Sequence, residues 1–141
     1  MIKRTCLFLA ACLYAPTLFA ADVSVDAAWV RLSPPVADST AAYATIHNNS
    51  DTTITLTGAA SNIAKKTELH SMDMSKGTMR MIKLETVNIE AHQSITLAPG
   101  GKHLMLMGLQ HPLHAGDTVE LRLTRANGSA IIIQAPVRDI R

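Results

Sequence analysis

The 141 residues are enough for one domain with one core, and no internal repeat or low-complexity tract argues for more. Lys and Arg number 13 against 11 Asp and Glu, and Lys3 and Arg4 account for the surplus, so the rest of the chain balances near zero. That balance excludes a nucleic-acid partner, which requires clustered positive charge.

The first segment, 1–20, reads as a secretory signal peptide. Lys3 and Arg4 supply the positive start, Cys6 to Tyr14 the apolar run, and Ala20-Ala21 the small residues at the cut, placed after Ala20 or Ala21. The run is too short for a membrane span of about 20 residues, so no stable insertion of the mature domain is expected. The expected location is the periplasm, in soluble form. A competing reading takes Leu9-Ala10-Ala11-Cys12 as a lipobox, with Cys12 as a lipid anchor. Cys6 and Cys12 are the two cysteines of the chain, so a domain spanning 22–141 contains neither thiolate nor disulfide and is held together by its core alone.

From Val25 onward, short runs rich in Val, Ile, Thr and Leu alternate with turn formers about every ten residues, which predicts an all-β sandwich with little helix. The predicted strands are 27–32, 41–47, 53–57, 66–71, 78–84, 94–97, 103–109, 118–124 and 130–137. Breakers include Ser33-Pro34-Pro35, Asn48-Asn49-Ser50-Asp51 and Pro99-Gly100-Gly101. Asn127-Gly128 predicts a two-residue hairpin turn. Trp29, the single tryptophan, is expected to anchor the core.

Strand alternation sorts the side chains. In Thr118–Thr124 it buries Val119, Leu121 and Leu123. In 103–107 it turns Leu104 and Leu106 inward and leaves His103, Met105 and Met107 on the other face. Apart from Met1, every methionine falls in one of two clusters, Met72, Met74, Met79 and Met81 with His70, and Met105 and Met107 with His103. Methionine commonly fills gaps in a core, but this core is already supplied with Leu, Ile and Val. Thioether is a soft neutral donor and imidazole an intermediate one, so a mixed set suits Cu(I) better than Zn(II), Mg(II) or Ca(II). Without a thiolate a blue-copper electron-transfer centre cannot form, and with no cluster of three histidines an enzymatic role is not expected. Because imidazole must be neutral to bind a metal, affinity should fall through and below about pH 6.5, its ordinary value. His111 and His114 read as solvent-facing, His92 as turn surface and His47 as a strand end.

These residues resemble the periplasmic copper chaperones called PCu(A)C, whose pattern is His, ten residues, Met, twenty-one residues, then His-x-Met. His70, Met81, His103 and Met105 match that spacing. The flanking Ala28-Trp29-Val30-Arg31, Pro34-Pro35, Ala41-Ala42-Tyr43, His47-Asn48-Asn49, Met79-Arg80-Met81 and Pro99 to Leu109 are similar too, and the likeness runs from about Val25 to Val137. The resemblance implies a cupredoxin-like Greek-key β-sandwich or barrel with one Cu(I) near one end, held by those four side chains from two strands and their loops. It also implies delivery of copper to the binuclear site of a respiratory haem-copper oxidase, alongside a thioredoxin-like copper protein. Met72, Met74, Met79 and Met107 are expected as secondary contacts, as packing over the ion or as shields against water. The alternative function is sequestration of excess copper without a dedicated acceptor.

Overall fold

The alternating runs fold into ten strands and no helix in the computed structural model, which describes residues 21–140. In chain order these are β1 (Val23–Arg31), β2 (Ser39–Asn48), β3 (Ile54–Ser61), β4 (Ala64–Asp73), β5 (Arg80–Lys83), β6 (Val87–Ile89), β7 (Ser94–Leu97), β8 (His103–Leu109), β9 (Thr118–Arg125) and β10 (Ala130–Arg138). The predicted signal peptide and the lipobox cysteine lie outside the described residues.

The all-β cupredoxin-like expectation holds, with the sheet closed on itself. Its order is β4-β8-β2-β1-β10-β9-β3, and a β3–β4 pairing at Ala59 and Thr67 returns to the start. Closure removes the open edges that a sheet would otherwise present. The β1–β10 pair is parallel and the others are antiparallel. Three short strands hang on this barrel: β5 on β4, β6 on β3 and β7 on β2.

β2 carries two partners in series, β8 along its first half and β7 along its second. The chain passes between them through a tight turn in which the Ala98 N–H donates to the Lys102 carbonyl at 2.9 Å, and Gly100 takes φ +82°. This turn fixes where His103 begins β8.

Inward-facing residues of every barrel strand meet in one core, including Val30, Ile46, Leu69, Leu104, Leu106 and Leu121. Burying each aliphatic side chain stabilises the fold by about 1.5–3 kcal/mol. β9 buries Val119, Leu121 and Leu123 as its alternation predicts. Asn48, 1 % exposed, ends β2 by donating from Nδ2 to the carbonyls of Thr52, Ile89 and Glu90 at 2.8–3.1 Å, which ties the following turn to β6.

Three local expectations are corrected. Trp29 is half-buried and outside the core, because Val30 takes the inward position. A bulge between Asp26 and Trp29, with Ala27 at φ 51°, sets that phase, and Trp29 packs on Tyr43 with ring centroids 4.6 Å apart. The β9–β10 connection is a three-residue loop: Arg125 pairs with Ser129, the Gly128 N–H donates to the Arg125 carbonyl, and Gly128 alone takes positive φ. Asn127 instead accepts the Ser129 N–H and hydroxyl through Oδ1. Finally, the predicted strand 78–84 contracts to β5, and β6, with Val87 and Ile89 buried, was not anticipated.

Candidate metal centre

Side chains directly opposite one another on antiparallel strands share a face. His70 on β4 stands opposite His103 on β8, Glu68 opposite Met105, and on the other side of β4 Met72 stands opposite Met81 of β5. Leu69, Leu104 and Leu106 point into the core, so this histidine and methionine face is the outer face of the barrel wall. The four expected ligands therefore come from three adjacent strands rather than two.

The β4–β5 hairpin holds its register through a closing pair: Arg80 donates to Asp73 Oδ2 at 2.9 Å. The Ser75 N–H and hydroxyl also donate to Asp73, and with Arg80 they hold its carboxyl below the usual value. That register is what sets Met81 against Met72.

Loops after β1 and before β8 overhang the face and leave a groove of about 410 Å³, lined among others by Tyr43, Met72, Met81, Pro99, His103 and Met105. His70 lies beside it, its ring centroid 5.8 Å from that of His103 and the rings inclined at 67°. Exposure rises outward: His103 is 5 % exposed, His70, Met72 and Met105 are half-buried, and Met81 is 45 % exposed.

The hydrogen bonds of the two imidazoles decide which nitrogens are free. His103 Nδ1 lies 3.0 Å from the Gly101 carbonyl, which can only accept, so Nδ1 carries the proton and Nε2 the lone pair. His70 Nε2 lies 2.8 Å from Glu68 Oε2, so in the neutral ring the proton is on Nε2 and the lone pair on Nδ1. His70 Nδ1 and His103 Nε2 are both buried and without a hydrogen-bond partner. Two orphaned lone pairs on neighbouring buried rings are costly unless something binds them. Beside thioethers, the donor set fits a soft cation. Among the described residues no group of three or more His, Cys, Asp and Glu is placed to hold a metal, so an ion here would depend on sulfur.

Glu68 is the participant that the sequence reading missed. It accepts from Lys66 Nζ at 2.8 Å as well as from His70, and Lys83 Nζ lies 3.7 Å away. The Lys66 hydrogen bond first, then that of His70, and the charges of both lysines hold its carboxyl down at about 2 against the opposing effect of burial. The available signal was the i, i+2 spacing to His70, which places both on one strand face.

The remaining candidates do not line the groove. Met74 and Met79, each 57 % exposed, flank the hairpin turn, and Met107 stands further along β8 opposite Ser39 and Lys66. His111 and His114 are exposed, as is His92, which contacts Asp51. His47 bridges Ser94 and Asp26 at 2.6 and 2.8 Å. Among the described residues no helix is long and apolar enough to cross a membrane.

Residues 23–137 match the family model described as "Putative lipoprotein LpqE-like". The chain is 35% identical over 118 residues to "Putative lipoprotein Lxx21020" of Leifsonia xyli subsp. xyli (strain CTCB07), covering 83% of this chain and 70% of that one. Among solved structures it resembles the solution structure of CuI-DR1885 from Deinococcus radiodurans, at 34% identity and TM-score 0.65, with 92% of this chain and 87% of that one covered. The copper-bound PCuAC domain from PmoF2 has the same fold, at TM-score 0.71 and 19% identity over 86% of this chain and 97% of that one.

Proposed function

The chain belongs to the LpqE-like family, and from that premise we propose that it is an exported copper chaperone that holds one Cu(I) by His70, Met81, His103 and Met105. Its role is carriage rather than catalysis, and its recipient is the copper site of a respiratory haem-copper oxidase, with a thioredoxin-like copper protein as companion. One observation carries the reading: two buried imidazole lone pairs without partners, on rings 5.8 Å apart, beside a groove walled by thioethers. The likeness to a Cu(I)-bound protein at 34% identity supports copper as the cargo.

Two neutral imidazoles and two neutral thioethers leave a single positive charge uncompensated, which favours Cu(I) over Cu(II). Release proceeds by ligand exchange. Met81 is 45 % exposed while His103 is 5 % exposed, so an incoming thiolate or imidazole displaces Met81 first and the buried His103 last. Met72, opposite Met81, offers a substitute sulfur while the ion is in transit.

The test is a competition titration of the purified protein against a Cu(I) chelator, followed by mixing the loaded protein with candidate oxidase domains. Retention of one equivalent and its transfer to one acceptor are expected. Failure to retain Cu(I) would refute the chaperone reading. Retention without transfer, with copper sensitivity but intact respiration in a deletion strain, would replace delivery by sequestration.

A further inference from the structure

Glu68 and His70 lie two apart on β4 and project from the same face, and their side chains are only 11 % and 12 % exposed. Both carboxylate oxygens of Glu68 are engaged. Oε2 accepts the His70 Nε2–H at 2.8 Å, and Oε1 is gripped by Lys66 Nζ at 2.8 Å with Lys83 Nζ at 3.7 Å. Lys83 stands opposite His70 on β5, so the carboxylate is anchored from its own strand and from the neighbouring one.

That anchoring constrains the imidazole. A carboxylate only accepts, so the other neutral tautomer would set a nitrogen lone pair against an oxygen lone pair at 2.8 Å. On His103 the Gly101 carbonyl acts in the same way on the opposite nitrogen, at 3.0 Å. The rings are thus fixed in opposite senses, with Nδ1 free on His70 and Nε2 free on His103, and both free atoms are buried and unpartnered.

We infer that Glu68 is a positioning residue that commits His70 to bind the cargo ion through Nδ1 while His103 binds through Nε2, and that Lys66 and Lys83 occupy Glu68 so that it does not ligate the ion itself. This rests on the proposed Cu(I) site. Nδ1 is one bond nearer the main chain than Nε2, which draws the ion toward β4. A carboxylate behind a ligating imidazole also raises the basicity of the ring, and loss of such a partner typically weakens metal binding by about 10- to 100-fold.

The experiment uses the 15N-labelled full chain and long-range proton–nitrogen correlations of the imidazoles, before and after one equivalent of Cu(I), in wild type, Glu68→Gln and Glu68→Ala. Without copper, the wild type should carry its protons on His70 Nε2 and His103 Nδ1, and copper should shift His70 Nδ1 and His103 Nε2. The Gln amide can donate as well as accept, so Glu68→Gln should mix the His70 tautomers and weaken Cu(I) binding by about 10-fold or more, with Glu68→Ala weaker still. The wild-type spectra need no variant, so misfolding of Glu68→Ala leaves the test intact. Copper shifting His70 Nε2, or both variants matching the wild type in tautomer and affinity while Cu(I) is bound, would overturn the role of Glu68 and leave the chaperone reading standing. A wild type that shows the stated tautomers yet takes up no Cu(I) would overturn the chaperone reading, and the ligation half of this inference with it.

Discussion

Replacing Met81 and Met105 together by Leu removes both proposed sulfur ligands at nearly constant volume and separates metal binding from folding. Met81 is 45 % exposed, and Met105 is half-buried on the outer face, apart from the core that holds Leu104 and Leu106. Each exchange should therefore cost less than about 1.5 kcal/mol, and the exposed one less than about 0.5. The metal-free variant should melt no more than roughly 6–10 °C below the wild type. Copper acts on the native state by mass action: free Cu(I) at about 1,000 times Kd adds roughly 4 kcal/mol. For a domain of this size, that raises Tm by roughly 12–20 °C. The assay is thermal unfolding by circular dichroism under anaerobic, reducing conditions, with free Cu(I) buffered at one value for both proteins. The wild type should show the rise and the double variant should lose most of it. An equal copper-induced rise in both would refute thioether ligation by this pair.

Two further outcomes follow from buried polar contacts. The Glu68 carboxyl is held at about 2 rather than 4.5, so its contribution to stability is complete above about pH 4.5 and is lost as pH falls toward about 2. Urea midpoints over that window should fall more steeply in the wild type than in Glu68→Gln. Asn48→Ala leaves the Thr52, Ile89 and Glu90 carbonyls without their donor and should lower stability by about 2–4 kcal/mol in urea denaturation, with Cu(I) affinity unchanged in a chelator titration because Asn48 does not line the groove.

Alternation was the most legible signal in the sequence. It assigned Leu104 and Leu106 to the core and His103, Met105 and Met107 to the other face, as found, because a period of two fixes sidedness once a strand exists. The pairing of Met72 with Met81 depends on the β4–β5 register, which the Asp73–Arg80 pair closes, and no spacing rule states such a contact. Trp29 was misplaced because a bulge shifts the phase of β1, and a bulge has no firm signature in a run such as Val25-Asp26-Ala27-Ala28. Val87 to Ile89 was missed because three residues are too few to show a period. Glu68 was not legible as a site residue because its contact is a hydrogen bond to the His70 ring, and residue type and spacing mark donors to a metal rather than the partners of those donors. β3 and β4 are consecutive strands that pair at Ala59 and Thr67, and that local contact becomes a closure only because the other barrel strands lie between them in sheet order, which local pattern could not announce.

The central claim is that one soft ion sits among two imidazoles and two thioethers. X-ray absorption at the copper edge of the wild-type protein carrying one equivalent of Cu(I) tests it most directly. The first shell should contain both nitrogen and sulfur scatterers, and the sulfur contribution should fall in Met81→Leu/Met105→Leu. A shell of nitrogen and oxygen alone in the wild type would contradict the account.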